Sequence, residues 1–242
     1  MFIDTHTHIP EPAGEAEKII LVGTSLKDSQ EAIKTAQENA GVFATVGIHP
    51  SDDPTATAEN LDWQKFKELA GQPKVVAIGE CGLDYHQNQN IDRQRALFFK
   101  QIAVAAELNL PLSIHIRDAR DDVMSLFTQE LAGAKGVFHC FSGDKAYLDF
   151  ILKKLPNFYL SFAGNVTFKN AKDLQELARL VPLEKLLLET DSPYLAPEPY
   201  RGLPNFPANV KITASRLAEI HGVSLAKIAE ITSINANRLF HL

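Results

Sequence analysis

Short apolar runs alternate with longer stretches of helical period along this 242-residue chain. The runs lie at 1–6, 18–22, 42–48, 75–78, 111–116, 136–138, 158–162 and 185–188. Helical stretches fall near 27–40, 59–71, 91–109, 119–132, 144–154, 170–180, 207–221 and 224–239. Strands buried on both faces read as unbroken apolar runs, and their alternation with helices builds βα units on a parallel sheet. Eight such units predict an α/β fold, a (β/α)8 TIM barrel, whose active site lies at the C-terminal ends of the strands. A doubly wound open sheet is the competing architecture. It would place a glycine-rich phosphate loop after the first strand, where this chain has Thr5-His6-Thr7-His8.

Boundary signals agree with that pattern. Ser224 precedes the periodic Leu225-Ala226-Lys227-Ile228 and can cap a helix, while Pro111 and Pro182 mark places where a helix has stopped. No low-complexity linker divides the chain, so one domain over 1–242 is expected, its last helix closing the bottom or side of the barrel. A hydrophobic content of 45% suits a large core. The formal charge of −6 comes without a long basic tract, which argues against a wide phosphate footprint on duplex DNA. A nuclease that grips a few phosphates remains permitted, because bound cations reverse the local sign. The two cysteines, Cys81 and Cys140, fit neither a zinc finger nor a disulfide framework. With no long apolar run and no leader, the expectation is a complete, soluble, monomeric protein of the cytoplasm, without a membrane partner.

Candidate metal ligands recur where the predicted strands end. His6 and His8 close the first run, and on a strand residues i and i+2 share a face about 6.5–7 Å apart. Glu80 follows the fourth run, His115 lies in the fifth, His139 follows the sixth and Asp191 the eighth. Singly, Glu80 could cap a helix, His115 could be a satisfied core histidine and Asp191 could start a turn. Jointly, the six would share one barrel mouth. Imidazole suits zinc, and the carboxylates extend the choice to manganese and magnesium. The number of ligands leaves room for two divalent metal ions, Glu80 offering one oxygen to each. His6, His8 and Asp191 would complete one site, and His115 and His139 the other. Asp191 would also orient the attacking water and take its proton, so Asp191 and Glu80 are the expected catalytic residues.

Several of these residues sit in longer motifs: Phe2-Ile3-Asp4-Thr5-His6-Thr7-His8, Gly79-Glu80-Cys81-Gly82-Leu83-Asp84-Tyr85, His115-Ile116-Arg117, His139-Cys140-Phe141-Ser142-Gly143 and Glu189-Thr190-Asp191-Ser192-Pro193-Tyr194-Leu195. In order and over the whole chain these resemble the TatD family of metal-dependent deoxyribonucleases, in the amidohydrolase superfamily. The resemblance implies a TIM-barrel hydrolase that removes nucleotides from DNA, with its metal ligands at His6, His8, Glu80, His115, His139 and Asp191. It also implies that His49, in Gly47-Ile48-His49-Pro50, lies near the scissile phosphate. One departure is visible: Phe206 occupies the place of the family's usual glutamate in Arg201-Gly202-Leu203-Pro204-Asn205-Phe206-Pro207.

A phosphodiester substrate calls for cations and amides at the mouth. Arg117, Asn165, Lys169 and Arg201 are the candidates, each of them equally suited to a surface salt bridge or helix cap. Tyr85 and Phe206 could stack on an unpaired base, favouring DNA ends or single-stranded segments as the partner. Cys140 is expected to pack behind its strand, Cys81 to be a small core residue, and His86, His221 and His241 to lie on the surface or in loops. Competing functions are hydrolysis of another bond, such as an aminoacyl-tRNA ester or a cyclic amide, and metal binding without catalysis.

Overall fold

A computed structural model describes residues 1–11, 14–86 and 90–242. Eight parallel strands run in sequential order around a barrel: β1 Phe2–Thr7, β2 Ala16–Leu21, β3 Val42–Val46, β4 Val75–Asp84, β5 Leu112–Arg117, β6 Gly136–Phe138, β7 Phe158–Phe162 and β8 Leu186–Leu188. The helices are α1 Leu26–Glu38, α2 Trp63–Ala70, α3 Ile91–Leu108, α4 Arg120–Ser125, α5 Thr128–Ala132, α6 Lys145–Lys154, α7 Lys172–Leu180, α8 Val210–His221 and α9 Leu225–Phe240. This is the (β/α)8 barrel that the alternating runs predict. Among the described residues no helix joins β1 to β2, so the first repeat departs from the pattern. The stretch 119–132 forms two short helices rather than one.

Helix starts follow side-chain chemistry. Ser25, Asp62, Asn90, Asp144 and Ser224 each accept the backbone N–H three residues on, satisfying a donor the first turn leaves free. Ile3, Ile20, Ala77, Val137, Tyr159 and Leu187 come from six strands yet form one apolar cluster, so they meet inside the barrel. Ala236, Leu239 and Phe240 of α9 join that cluster, and Asn235 Nδ2 donates to the carbonyls of Leu183 and Leu186 at 2.9 Å. The last helix therefore plugs the end opposite the histidines.

The seam between β1 and β8 closes mainly beyond the last regular pairing. Asp191 N–H donates to His6 O at 2.9 Å and His8 N–H to Ser192 O at 2.7 Å. The buried Asp4 carboxylate accepts the Thr190 N–H at 2.9 Å and its hydroxyl at 2.6 Å. Closure of the barrel thus fixes the segments that carry His6, His8 and Asp191 against each other.

Candidate active site

The site is built on a polar layer. Above the apolar floor the barrel holds Thr45, Ser113 and Ser161, all essentially buried. The Thr45 hydroxyl donates to Gly79 O, the Ser161 hydroxyl donates to Glu189, and Ser113 Oγ lies 3.5 Å from His6 Nδ1. Small hydroxyl side chains leave room for imidazoles and satisfy the groups that orient them.

Glu80 reaches the centre through a bulge. β4 is longer than its apolar run predicts, and its register on β5 slips between Ile78↔Leu112 and Cys81↔Ile114. The extra residue turns the strand locally, as bulges beside active sites do. Gly79, at φ +148°, makes this possible: a Cβ there would stand 2.4 Å from Ser113 O. A Cβ on Gly47 would lie 2.2 Å from Gly79 C, so the chain just past β3 also approaches too closely for a side chain.

The six residues expected as ligands converge. Glu80 Oε2 is 3.4 Å from His6 Nε2 and 3.7 Å from His8 Nε2, while Asp191 Oδ1 is 3.7 and 3.4 Å from the same nitrogens. On the other side, Glu80 Oε1 lies 2.9 Å from His115 Nδ1 and 3.0 Å from His139 Nε2. His49 Nε2 is 3.4 Å from that same Oε1, so it stands inside the cluster. Asp191 adopts φ +57°, a left-handed conformation that aspartate tolerates and that turns its carboxylate towards His6 and His8.

The donor set fits a cation. His6 Nε2 is buried without a hydrogen-bond partner. Tetrahedral ligands about 2.1 Å from an ion stand about 3.4 Å apart, the spacing found among His6, His8, Glu80 and Asp191. Burial would raise the Glu80 carboxyl, but the charges of His139 and His49, with a hydrogen bond from His115, hold it well below the usual range. Burial likewise opposes ionisation of Asp191, and the His8 hydrogen bond with the charge of His139 overcomes it. For His6, burial and the neighbouring His139 lower the pKa and leave a neutral imidazole, the form that binds metal. Burial opposes protonation of His49 and His139 as well. Glu80 and Asp52 nevertheless raise His49 to about 10, and Glu80 and Glu189 raise His139 well above its ordinary value.

Sequence reasoning passed over three carboxylates behind the imidazoles. Glu189 Oε1 is 3.4 Å from His139 Nδ1 and accepts the Cys140 N–H at 2.6 Å. Asp84 Oδ2 is 3.5 Å from His115 Nε2, and Asp52 Oδ1 is 2.7 Å from His49 Nδ1. Carboxylates in this position fix the ring and raise its basicity. Glu189 and Asp84 lie within the motifs above, two residues before Asp191 and four after Glu80, but that spacing does not tell which way their side chains face.

Around the cluster the expected substrate residues divide. Arg117 is exposed and lines two cavities at the mouth, and Asn165 lines the smaller of them. Lys169 and Arg201 line neither; the Arg201 guanidinium lies 4.2 Å over the Phe168 ring and donates to Asn170. The Tyr85 hydroxyl is tied to Asp122. Phe206 is partly exposed, and the adjacent Asn205, fully buried, anchors the loop through Thr190 O at 2.8 Å. Tyr194, which no stacking argument singled out, is 61% exposed and sits edge-on to His8, lining both cavities. Cys140 lines the smaller cavity instead of packing behind its strand, because φ +43° turns the backbone just past β6. Cys81 is fully buried, and His86 pairs with Asp118 at 2.8 Å, a strand-end partner not foreseen.

Buried imidazoles and carboxylates converging at the C-terminal mouth of a (β/α)8 barrel define a metal-dependent hydrolase. Sequence comparison gives the family: the TatD related DNase family matches residues 3–241, and the chain belongs to it. It is 41% identical to the uncharacterized metal-dependent hydrolase YabD of Bacillus subtilis, across the full length of both chains. It is 37% identical over 92% of its length to the 3′-5′ ssDNA/RNA exonuclease TatD of Escherichia coli, covering 86% of that protein. Its fold superposes on the crystal structure of YjjV, a TatD homologue from E. coli, with a TM-score of 0.90 and 25% identity, covering 100% of this chain and 98% of the other. Among the described residues no helix is long and apolar enough to cross a membrane.

Proposed function

We propose that the protein is a two-metal exonuclease acting on the ends of single-stranded DNA or RNA. The observation that carries this reading is Glu80, whose two oxygens face two separate nitrogen sets, with Asp191 on one of them. In this reading His6, His8, Asp191 and Glu80 would hold one divalent ion, and His115, His139 and Glu80 the other. Zinc, manganese and magnesium all accept part of such a set, and the four imidazoles favour the first two. Ions bound there would acidify water and polarise a phosphoryl oxygen.

The chain's own residues do the remainder. Asp191, kept ionised by His8, orients the attacking water and takes its proton. His49, whose Nε2 lies beside the Glu80 carboxylate, faces a phosphate oxygen, and Arg117 adds charge at the mouth. Tyr194 offers a ring to an unpaired base, a contact worth about 1–3 kcal/mol. Asn165 supplies an amide, and Lys169 and Arg201, outside the cavities, are assigned to phosphates further along the strand. The activity named for the E. coli relative TatD supports attack from the 3′ end. Two free cysteines support work in a reducing compartment, the cytoplasm, and we assign the active form as a monomer.

Metal-loaded protein with end-labelled single-stranded DNA and RNA tests the reading, with aminoacyl-tRNA and cyclic amides as comparison substrates. Stepwise shortening of the oligonucleotides, lost in Asp191→Asn, is expected. Turnover of an ester or amide with no nucleotide release would move the function to that bond.

A further inference from the structure

The two mouth cavities differ in the charge of their walls. The larger, about 640 Å³, runs from His49 and Glu80 along α1 to Asp28, Glu31 and Thr35. The smaller, about 400 Å³, is lined by Cys140, Ser142, Asn165 and Leu195 and has Asp191 as its one carboxylate. His115, Arg117, His139, Asp191 and Tyr194 belong to both, so the cavities meet over the reacting cluster.

Most carboxylates of the larger cavity face an imidazole: Glu80 and Asp191 within the cluster, Asp52 at His49 and Asp84 at His115. Asp28 and Glu31 do not. Asp28 is held by the hydroxyls of Thr24 at 2.9 Å and Ser25 at 2.7 Å, and Glu31 has an exposed 3.9 Å contact with Lys27, which does not line the cavity. The outer end of this space therefore presents two carboxylates with no lining cation paired to them.

We propose that the larger cavity is the subsite for a terminal nucleoside with a free hydroxyl, and that Asp28 and Glu31 exclude an end that carries a phosphate. The inference rests on the nuclease reading above and adds which end that site accepts. A terminal hydroxyl is neutral and can donate to a carboxylate. A terminal phosphate brings about 1.5 to 2 negative charges against both carboxylates. The retained strand, with its further phosphates, is disfavoured on the α1 side for the same reason. It passes over the smaller cavity, where Ser142 and Asn165 are neutral hydrogen-bonding groups.

Oligodeoxynucleotides that differ only in a hydroxyl or a phosphate at the attacked end are compared as kcat/KM with metal-loaded protein. Wild type is expected to favour the hydroxyl end by about tenfold or more, the scale of several like-charge pairs at a solvent-accessible site. Asp28→Asn combined with Glu31→Gln is expected to lose most of that preference, with circular dichroism reporting the fold. Because Glu31 is exposed, Glu31→Gln alone carries the test if Asp28→Asn disturbs the start of α1. Equal cleavage of the two ends by wild type, or an undiminished preference in the variants, would overturn this inference and leave the nuclease reading standing. Failure to cleave either end overturns both.

Discussion

At the scale of single residues the site is a division of labour among carboxylates. Glu80 joins two sets of nitrogens, Asp191 faces His6 and His8 and is the proposed base, and Glu189 holds an imidazole from behind. Asp191→Asn removes the proposed proton acceptor and is expected to lower kcat by about 10²–10⁴-fold, read in steady-state cleavage of a labelled oligonucleotide. Glu189→Gln keeps the hydrogen bonds to Ser161 and Cys140 within reach but removes the charge beside His139. It should weaken metal affinity by about 10–100-fold in a competition titration, where wild-type affinity would show that Glu189 only fills space. The six convergent residues were legible because histidine and acid at strand ends have few other uses. Glu189 and Asp84 were not, because which face a side chain takes depends on a local turn or bulge that no periodicity reveals. Cys140 shows the same limit: its left-handed backbone reverses the direction that strand alternation implies.

At the scale of elements, β4 decides the geometry. Its apolar run stops at Ile78 in the sequence pattern, yet the strand continues to Asp84 because Gly79 and Gly82 let polar residues enter the barrel wall without a steric penalty. Gly79→Ala places a Cβ against Ser113 O at a φ that side chains rarely adopt. We expect destabilisation of about 2–4 kcal/mol in chemical denaturation, together with weaker metal binding as Glu80 shifts. Unchanged stability would show that the bulge relaxes freely. Strand order and the α9 plug were readable because burial on both faces leaves long apolar signatures. The β1 to β2 connection was not, since a crossover without a helix, among the described residues, carries no periodic signal.

At the scale of the whole molecule, the fold gathers more negative than positive charge at one mouth and offsets it with imidazolium. In the metal-free chain, His49 is raised to about 10 by Glu80 and Asp52. Its folded pKa thus exceeds its unfolded value of about 6.5, so the stability it contributes is full below that value and is lost as pH rises towards about 10. His49→Gln should flatten that part of the stability–pH curve measured by denaturation. Because His139 is also raised, metals compete with protons for the cluster, and binding should release protons near neutral pH. Calorimetry in buffers of different ionisation enthalpy reads that release directly. The central proposal is that Glu80 would join two ions across one barrel mouth. Anomalous diffraction from crystals soaked in manganese tests it: the account predicts two peaks, one by Glu80 Oε2 with His6, His8 and Asp191, the other by Oε1 with His115 and His139. A single peak, or peaks away from Glu80, would contradict it.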